Sequence, residues 1–397
     1  MDLDKLAIEN FRKYLRIPTV QPNVNYEPAV SFLETLARDL DLPIRIYQYH
    51  PDNPIVLISW IGTEPELPSI LLNSHMDMVP VNKTKWKYDP FGAEMDEYGN
   101  IHGRGAQDCK SVGMLYVEAI RRLKQSKVQL RRTVHVLFVP DEEVGGTRGM
   151  KALTVTEDFR KLNVGFAIDE GFPDEGNKFL ISYAEKIVRQ FVINCEGTSG
   201  HGSLLLQNTA GEKLASVLTA IYNLRKVQKE KLAKNTSLGL GNIIAINLTK
   251  IEGGLSSNII PLKFSLTFDC RLPPDADIDE FDGTVSRLCQ EAGSGITVEF
   301  LSERPPTSLF TTLDDSNRYW VAFKQVITDL GIPFETWIYS ATTDGTHLRK
   351  SGTPTIGFVP FRNTPFKKHA ENEFLNARTF LEGIDVYTKL LPALANV

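Results

Sequence analysis

Cysteine is scarce and scattered: Cys109, Cys195, Cys270 and Cys289 lie far apart in 397 residues, with no CxxC pair among them. That spacing argues against a disulfide framework and against a thiolate zinc site, and fits free thiols in a reducing compartment. No apolar run approaches the roughly 18 residues that a membrane-spanning helix needs. The opening MDLDKLAIENFRKYL has no basic start leading into an apolar core, so no secretory signal is visible. Excess positive charge is missing as well. The formal net charge is −5, and the densest basic run, RKVQKEKLAK (225–234), carries a glutamate and reads as the solvated face of a helix. Nucleic acid and membrane are therefore not expected partners, and the cytoplasm is the expected location. Internal repeats and low-complexity tracts are also absent.

What is present is the composition of an ordinary globular protein, 42% hydrophobic and 23% charged, in a chain longer than one hydrophobic core usually spans. Leu3, Leu6, Ala7, Phe11, Tyr14 and Leu15 stand at helical spacing, and a second helix is expected around Pro28. Then come short apolar runs without alternation: IVLISW (55–60), SILLNS (69–74), TVHVLFV (133–139) and VGFAID (164–169). Such runs suit strands buried on both faces, as in a helix-covered α/β sheet. SVGMLYVEAIRRLK (111–124) reads as a crossover helix between them. After residue 183 the pattern turns to alternating strands (188–195, 241–253, 263–272) interleaved with helices near 209–231 and 278–293. The order strand-helix-strand-strand-helix-strand predicts a ferredoxin-like α+β insert. An α/β pattern returns with a helix bearing Trp320, Phe323 and Ile327, a strand near 353–359 and a final helix from about 374. The expected organisation is one discontinuous α/β domain, 1–183 and 306–397, with an inserted domain at 184–305.

The chemistry gathers where the predicted strands end. VHVLFVPDEEVGG runs an apolar strand straight into Asp141, Glu142 and Glu143, like charges that repel unless something neutralises them. In open α/β sheets the loops after the strands converge on one crevice. SILLNSHMDMVP brings His75 and Asp77 there, and FAIDEGF brings Asp169 and Glu170. GRGAQDCKSVG places Asp108 just before the crossover helix, and NTPFKKHAENEF supplies His369 after the last strand. Two histidines with several carboxylates and no thiolate describe a nitrogen–oxygen metal site, with zinc the expected ion and cobalt or manganese able to substitute. The number of carboxylates suits a two-metal site better than a single open zinc. His135, mid-strand, reads instead as a core or face residue.

SHMDMVP, GRGAQDCKSVG, VPDEEVGG, DEG and the late histidine together resemble the M20 family of metal-dependent peptidases and amidohydrolases. NFRKYLRIPTVQP, NLTKIEGG and GIDVYTKLLPALANV extend the resemblance from end to end, towards the branch that acts on N-acyl-L-amino acids. It implies a zinc-peptidase-like mixed sheet, a small-molecule N-acyl amino acid as substrate, and two Zn2+ per subunit. His75, Asp108 and Glu170 would bind one ion, and Glu143, His369 and a bridging Asp108 the other. Glu142 falls at the general base and Asp77 at the residue that supports the ligating histidine. Adjacent acids are then tolerable, because neighbouring residues at a strand end point differently, one at the ion and one at the water. The insert matches the family's lid, which also forms a homodimer. There His201, Asn258 and Arg271 match positions that reach the substrate, His201 and Asn258 from the partner subunit. The chain departs from the family pattern at TTDGTHLR (342–349), where Thr346 replaces an arginine and Arg349 is left as a substrate-binding candidate. A dipeptidase or carboxypeptidase, or an acetylornithine-type deacetylase, would share the same metal ligands. An inactive binding scaffold would be expected to have lost them.

Overall fold

The computed structural model describes residues 2–302 and 309–397. The expected boundary at 305/306 lies outside those residues. The chain divides into two compact units, the first made of Met1–Tyr183, Phe310–Thr336 and Thr343–Val397, the second of Ala184–Leu309 and Trp337–Thr342.

Helices α1 (Leu3–Leu15) and α2 (Glu27–Asp39) lead into strands β1 (Ile44–His50), β2 (Asn53–Trp60) and β3 (Ser69–His75). Helix α3 (Lys110–Gln125) then precedes β4 (Val134–Val139), β5 (Val164–Asp169) and β6 (Phe179–Glu185). The second unit carries β7 (Phe191–Glu196), α4 (Ala210–Lys234), β8 (Ala245–Gly253), β9 (Lys263–Leu272), α5 (Ile278–Ala292) and β10 (Ile296–Phe300). The chain ends with α6 (Arg318–Asp329), β11 (Phe334–Tyr339), β12 (Thr355–Phe358) and α7 (Ala377–Ala395).

The large sheet runs β1-β2-β4-β3-β5-β12-β6-β11. β3 is parallel to both neighbours and β5 is parallel to β12, while β1, β2 and β4 pair antiparallel. Every residue of β3 and β4 is buried, because the sheet is covered on both faces. Period-two alternation sorts β4 cleanly. Val134, Val136 and Phe138 join the core that α1, α2, α3, α6 and α7 build, whereas Leu137 and Val139 face a smaller cluster with Met150, Leu153, Phe159 and Leu348. Strands β1 and β11 escaped the reading of the sequence: IRIYQYH and FETWIY sit at the two edges of the sheet, with one face open and polar residues on it.

Helix α3 comes unusually close to the sheet. A Cβ added at Gly113 would lie 2.4 Å from the Phe138 ring, so glycine is what lets the helix, and Asp108 just before it, approach the strand ends. Lys110 in its first turn is fully buried, and its Nζ donates to the carbonyls of Tyr14 and Ile17 at the end of α1. Carbonyls at a helix end run short of intrahelical donors, and the Tyr14 carbonyl also takes the Ile17 N–H.

In the second unit the sheet order is β8-β9-β7-β10, all antiparallel, over a core that includes Phe191, Ile193, Val217, Phe268 and Val285. With α4 and α5 this is the ferredoxin-like arrangement. The capping box of Thr209 and Glu212 starts α4.

His135 packs within β4 against Ser59 of β2, Nδ1 to Oγ 2.8 Å. Burial pushes its pKa from the ordinary 6.5 down to about 4, so the folded protein keeps the ring neutral. The unfolded chain takes up a proton first as pH falls through this window, which costs the fold about 3 kcal/mol by pH 4. His135→Gln keeps a partner for Ser59 without titrating. It is expected to flatten the loss of thermal midpoint between about pH 6.5 and 4, and an unchanged slope would acquit His135.

Candidate metal centre

The ends of β3, β4, β5 and β12 lie close together along the sheet: His75 pairs with Val139, while Leu72 pairs with Ile168 and Asp169 with Gly357, so that β3 runs slightly past β5. Their following loops therefore emerge together, at the carboxyl edge where such sheets hold ligands.

His75 closes β3 and is buried. Its Nδ1 lies 3.0 Å from the Asp77 carbonyl and 3.3 Å from Asp77 Oδ1, which directs Nε2 to the opposite side. There it meets Asp108 Oδ1 at 3.3 Å and Glu170 Oε1 at 3.6 Å. The second oxygen of Asp108 is 3.0 Å from His369 Nε2, and that nitrogen is 2.9 Å from Glu143 Oε2. Asp108 thus stands between the two histidines, one oxygen towards each. The ligand atoms of His75, Asp108 and Glu143 fall within 4.8 Å of one another, as do those of His75, Cys109 and Glu170. Burial raises the pKa of the Cys109 thiol, and its Sγ accepts from the His75 N–H at 3.2 Å, so it packs against the strand as a neutral group.

The three adjacent acids are arranged differently from the strand-end alternation expected of them. The strand stops at Val139, Asp141 takes a left-handed conformation (φ 59°), and Glu142–Val144 form a 3₁₀ turn. Successive residues of such a turn point about 120° apart, which separates Glu142 from Glu143 without a strand. Asp77 holds the turn in place: its Oδ1 accepts the Glu142 N–H at 3.1 Å and its Oδ2 the Glu143 N–H at 3.2 Å. Gln21 Nε2 adds a third donor at 2.9 Å. Asp141 is structural, since its Oδ2 accepts the Arg148 N–H at 2.7 Å and closes the loop.

Of the pair Asp169 and Glu170, only Glu170 joins the cluster. Asp169 accepts from Asn73 Nδ2, Thr343 Oγ1 and the Gly345 N–H at 2.8, 2.7 and 2.6 Å, and so anchors the 343–345 turn. Arg349, the substrate candidate of that region, is buried, with Nε and Nη2 donating to the Thr355 carbonyl at 3.1 and 2.9 Å. The structure does not bring it to the cluster. A guanidinium on the buried face of the short helix Gly345–Lys350 finds the strand carbonyl first.

In the second unit, His201 and Asn258 lie together on a two-stranded ribbon in which His201 pairs with Ile259. Both are exposed, His201 Nδ1 lying 2.8 Å from Ser203 Oγ and Asn258 Oδ1 accepting from Ser256 Oγ. Arg271 sits on β9 and pairs with Asp269 two residues away, at 2.8 and 3.1 Å.

Two residues at the centre had no sequence signal. Glu373 is buried and accepts four donors: Arg104 Nη1 at 2.7 Å and the N–H groups of Gly105, Gln107 and Asp108 at 3.2, 2.6 and 3.2 Å. Arg104 in turn donates to the carbonyls of His369 and Ala370. This bracket joins the loop bearing Asp108 to the loop bearing His369. Lys368, beside His369, turns its ammonium inward to Asp108 Oδ1 at 3.2 Å and to Glu170 Oε2.

The electrostatics favour positive charge in the hollow. Hydrogen bonding to Asp108 and then Glu143 pulls the His369 pKa up to about 10. Burial first, against Lys368 and with Asp108, pushes Glu170 up to about 8. Glu142 is raised well above the carboxylate range by burial and then by the charge of Glu170. Glu143 Oε1 is buried with no hydrogen-bond partner among the described residues. An acceptor left bare beside two imidazoles and two further carboxylates is what a divalent cation would satisfy, and the donor set fits one.

The chain belongs to the peptidase family M20/M25/M40, whose profile matches residues 71–393. Within it the chain is similar to aminoacylase-1 of Mus musculus, 43% identical over 98% of this chain and 96% of that one. Among solved structures it resembles an M20 family metallo-carboxypeptidase from Sulfolobus solfataricus, with TM-score 0.73, 18% identity and coverage of 98% and 99%. A Bacillus subtilis dinuclear metal-binding M20 peptidase follows at TM-score 0.71 and 14% identity, covering 99% and 98%. At those identities the two structures speak for the fold, a mixed α/β sheet covered by helices.

Glu373→Gln keeps the shape of the bracket but weakens its charge-assisted contacts with Arg104 and the three N–H groups. Metal affinity, measured by competition with a chromophoric chelator, is expected to fall about 10–100-fold, as for other groups that orient ligands. Affinity equal to wild type would show that the bracket has no bearing on the ions.

Proposed function

We propose that the protein hydrolyses N-acyl-L-amino acids to a free L-amino acid and a carboxylate. The observation that carries this reading is the convergence of His75, Asp108, Glu143, Glu170 and His369 beside Glu142, in a chain related end to end to aminoacylase-1. His75, Asp108 and Glu170 would hold one Zn2+, and Glu143, His369 and a shared Asp108 a second, with Co2+ or Mn2+ able to substitute. Such ions supply a Lewis acid for the acyl carbonyl and lower the pKa of water towards about 7.

Glu142 is the general base of this reading. Its carboxylate takes a proton from the attacking water and later delivers it to the departing amine nitrogen, which cannot leave as an amide anion. A buried site next to Glu170 suits that exchange, because both influences favour holding the proton between the two steps. Asp77 fixes the His75 ring through Nδ1 and, through the two N–H groups it accepts, the direction of Glu142.

For the substrate we assign His201 to the oxyanion and Asn258 and Arg271 to the α-carboxylate. An arginine offers paired donors to a carboxylate, and here Arg271 already binds Asp269 in that way. Arg349 is left out of this set, because it is buried and donates to the Thr355 carbonyl. A homodimer formed through the second unit is part of the same reading. It is supported by the edge position of β8 and by exposed Ile251, Leu255 and Leu262 nearby. Four buried free cysteines support a cytoplasmic location, and no helix among the described residues is long and apolar enough to cross a membrane.

Glu142→Gln is expected to keep metal content and thermal midpoint while turnover of N-acetyl-methionine falls by about 10²–10⁴-fold. Near-normal turnover would remove Glu142 from its role. Chelation followed by zinc should abolish and then restore release of the amino acid. In a panel with N-acetyl-ornithine and simple dipeptides, the N-acylated apolar amino acid should be cleaved fastest, and a preference for dipeptides would overturn the assignment.

A further inference from the structure

The two halves of the metal centre are not equivalent. Around His369 the cluster is open: the imidazole is 56% exposed and faces Asp108 Oδ2 and Glu143 Oε2. Around His75 it is closed, and a cation from the chain itself already lies inside. The Lys368 side chain is only 7% exposed. Its Nζ bonds Asp108 Oδ1 and Glu170 Oε2, the same two carboxylates that His75 Nε2 faces. The approach is built. Lys368 Nζ lies 5.3 Å from the centre of the Phe172 ring, and Phe172 stacks on Phe366 at 5.0 Å with 6° between the planes. An ammonium over an aromatic face and between two carboxylates is held from three sides.

We infer that Lys368 is a resident competitor for the half-site formed by His75, Asp108 and Glu170, so that an ion enters there only by expelling the ammonium. This rests on the metal reading above and refines it. The half-site of Glu143, His369 and Asp108 fills first. The second ion binds more weakly, because its affinity is reduced by the fraction of molecules in which the lysine has withdrawn. If the ammonium is inside about nine times in ten, the apparent affinity drops about tenfold. Lys368 then makes the doubly loaded enzyme a function of free metal concentration, and metal supply becomes a control on the site.

The test is a metal titration of the full-length protein, stripped with chelator and dialysed, at one fixed pH. Co2+ absorption reads each step, and elemental analysis gives the stoichiometry. Wild type is expected to show two classes of site, the second at least about tenfold weaker. Lys368→Met removes the charge at similar length and should tighten the second class about tenfold or more while leaving the first within about twofold. Lys368→Arg retains a cation there and should keep the two classes apart. If wild type binds two equivalents alike, or if Lys368→Met leaves both affinities unchanged, the competitor role is wrong although the metal reading stands. If wild type binds no metal at all, both are wrong.

Discussion

Like charge crowded into a poorly hydrated hollow is the constraint around which the first unit is built. Asp108, Glu142, Glu143 and Glu170 meet in a space where His75 and His369 each touch two of them. Were two of these acids ionised about 4 Å apart, they would repel by about 4 kcal/mol at an effective dielectric of about 20, which is part of why Glu142 and Glu170 hold their protons so firmly. Side chains on mobile loops would swing apart to relieve this. Here they cannot, because the loops leave the fully buried strands β3 and β4 and their close neighbours, and because Gly113 lets α3 press Asp108 inward. Rigidity of the scaffold and repulsion at its rim are two sides of one design, which a divalent ion completes.

The donors each carboxylate receives from the protein separate the acids that hold loops from those left facing the hollow. Asp77, Asp169 and Glu373 have both carboxylate oxygens fed by backbone N–H groups or neighbouring side chains. Their work is to hold loops. Glu143 keeps one oxygen bare, and Asp108 and Glu170 meet chiefly imidazole and ammonium. A carboxylate satisfied by amides has little left to offer a metal, whereas one facing cations has its lone pairs directed at positive charge. The same accounting separates Asp169 from Glu170, neighbours in the chain with opposite fates.

Much of this was legible in the sequence, for physical reasons that also mark where reading stops. Strands β3, β4 and β5 are continuous apolar runs because both faces are covered, and α1, α2 and α3 carry their apolar residues at helical spacing. The edge strands β1 and β11 keep one face open and so leave no such run. His75, Asp108, Glu143, Glu170 and His369 were visible because chemistry sits where strands stop. Glu373 was not: it acts on residues more than 260 positions away, and an acid in ENEF looks like any solvated loop. Arg349 misled for the converse reason, since a guanidinium in a loop motif suggests a ligand and nothing local reveals that a strand carbonyl will claim it. Lys368 resembles a surface lysine until the Phe172 ring and two distant carboxylates surround it.

The place of β12 has a consequence for how the protein is born. It lies between β5 and β6, yet its residues, Thr355–Phe358, come after β5 only once the whole inserted unit has passed. A growing chain has the strands of the ferredoxin-like unit by Phe300, so that unit can condense while the ribosome is still at work. The larger sheet meanwhile waits with an open seam. At ordinary translation rates the gap lasts on the order of ten seconds or more. His369 emerges later still, so the complete hollow forms only once the chain has been made past that residue.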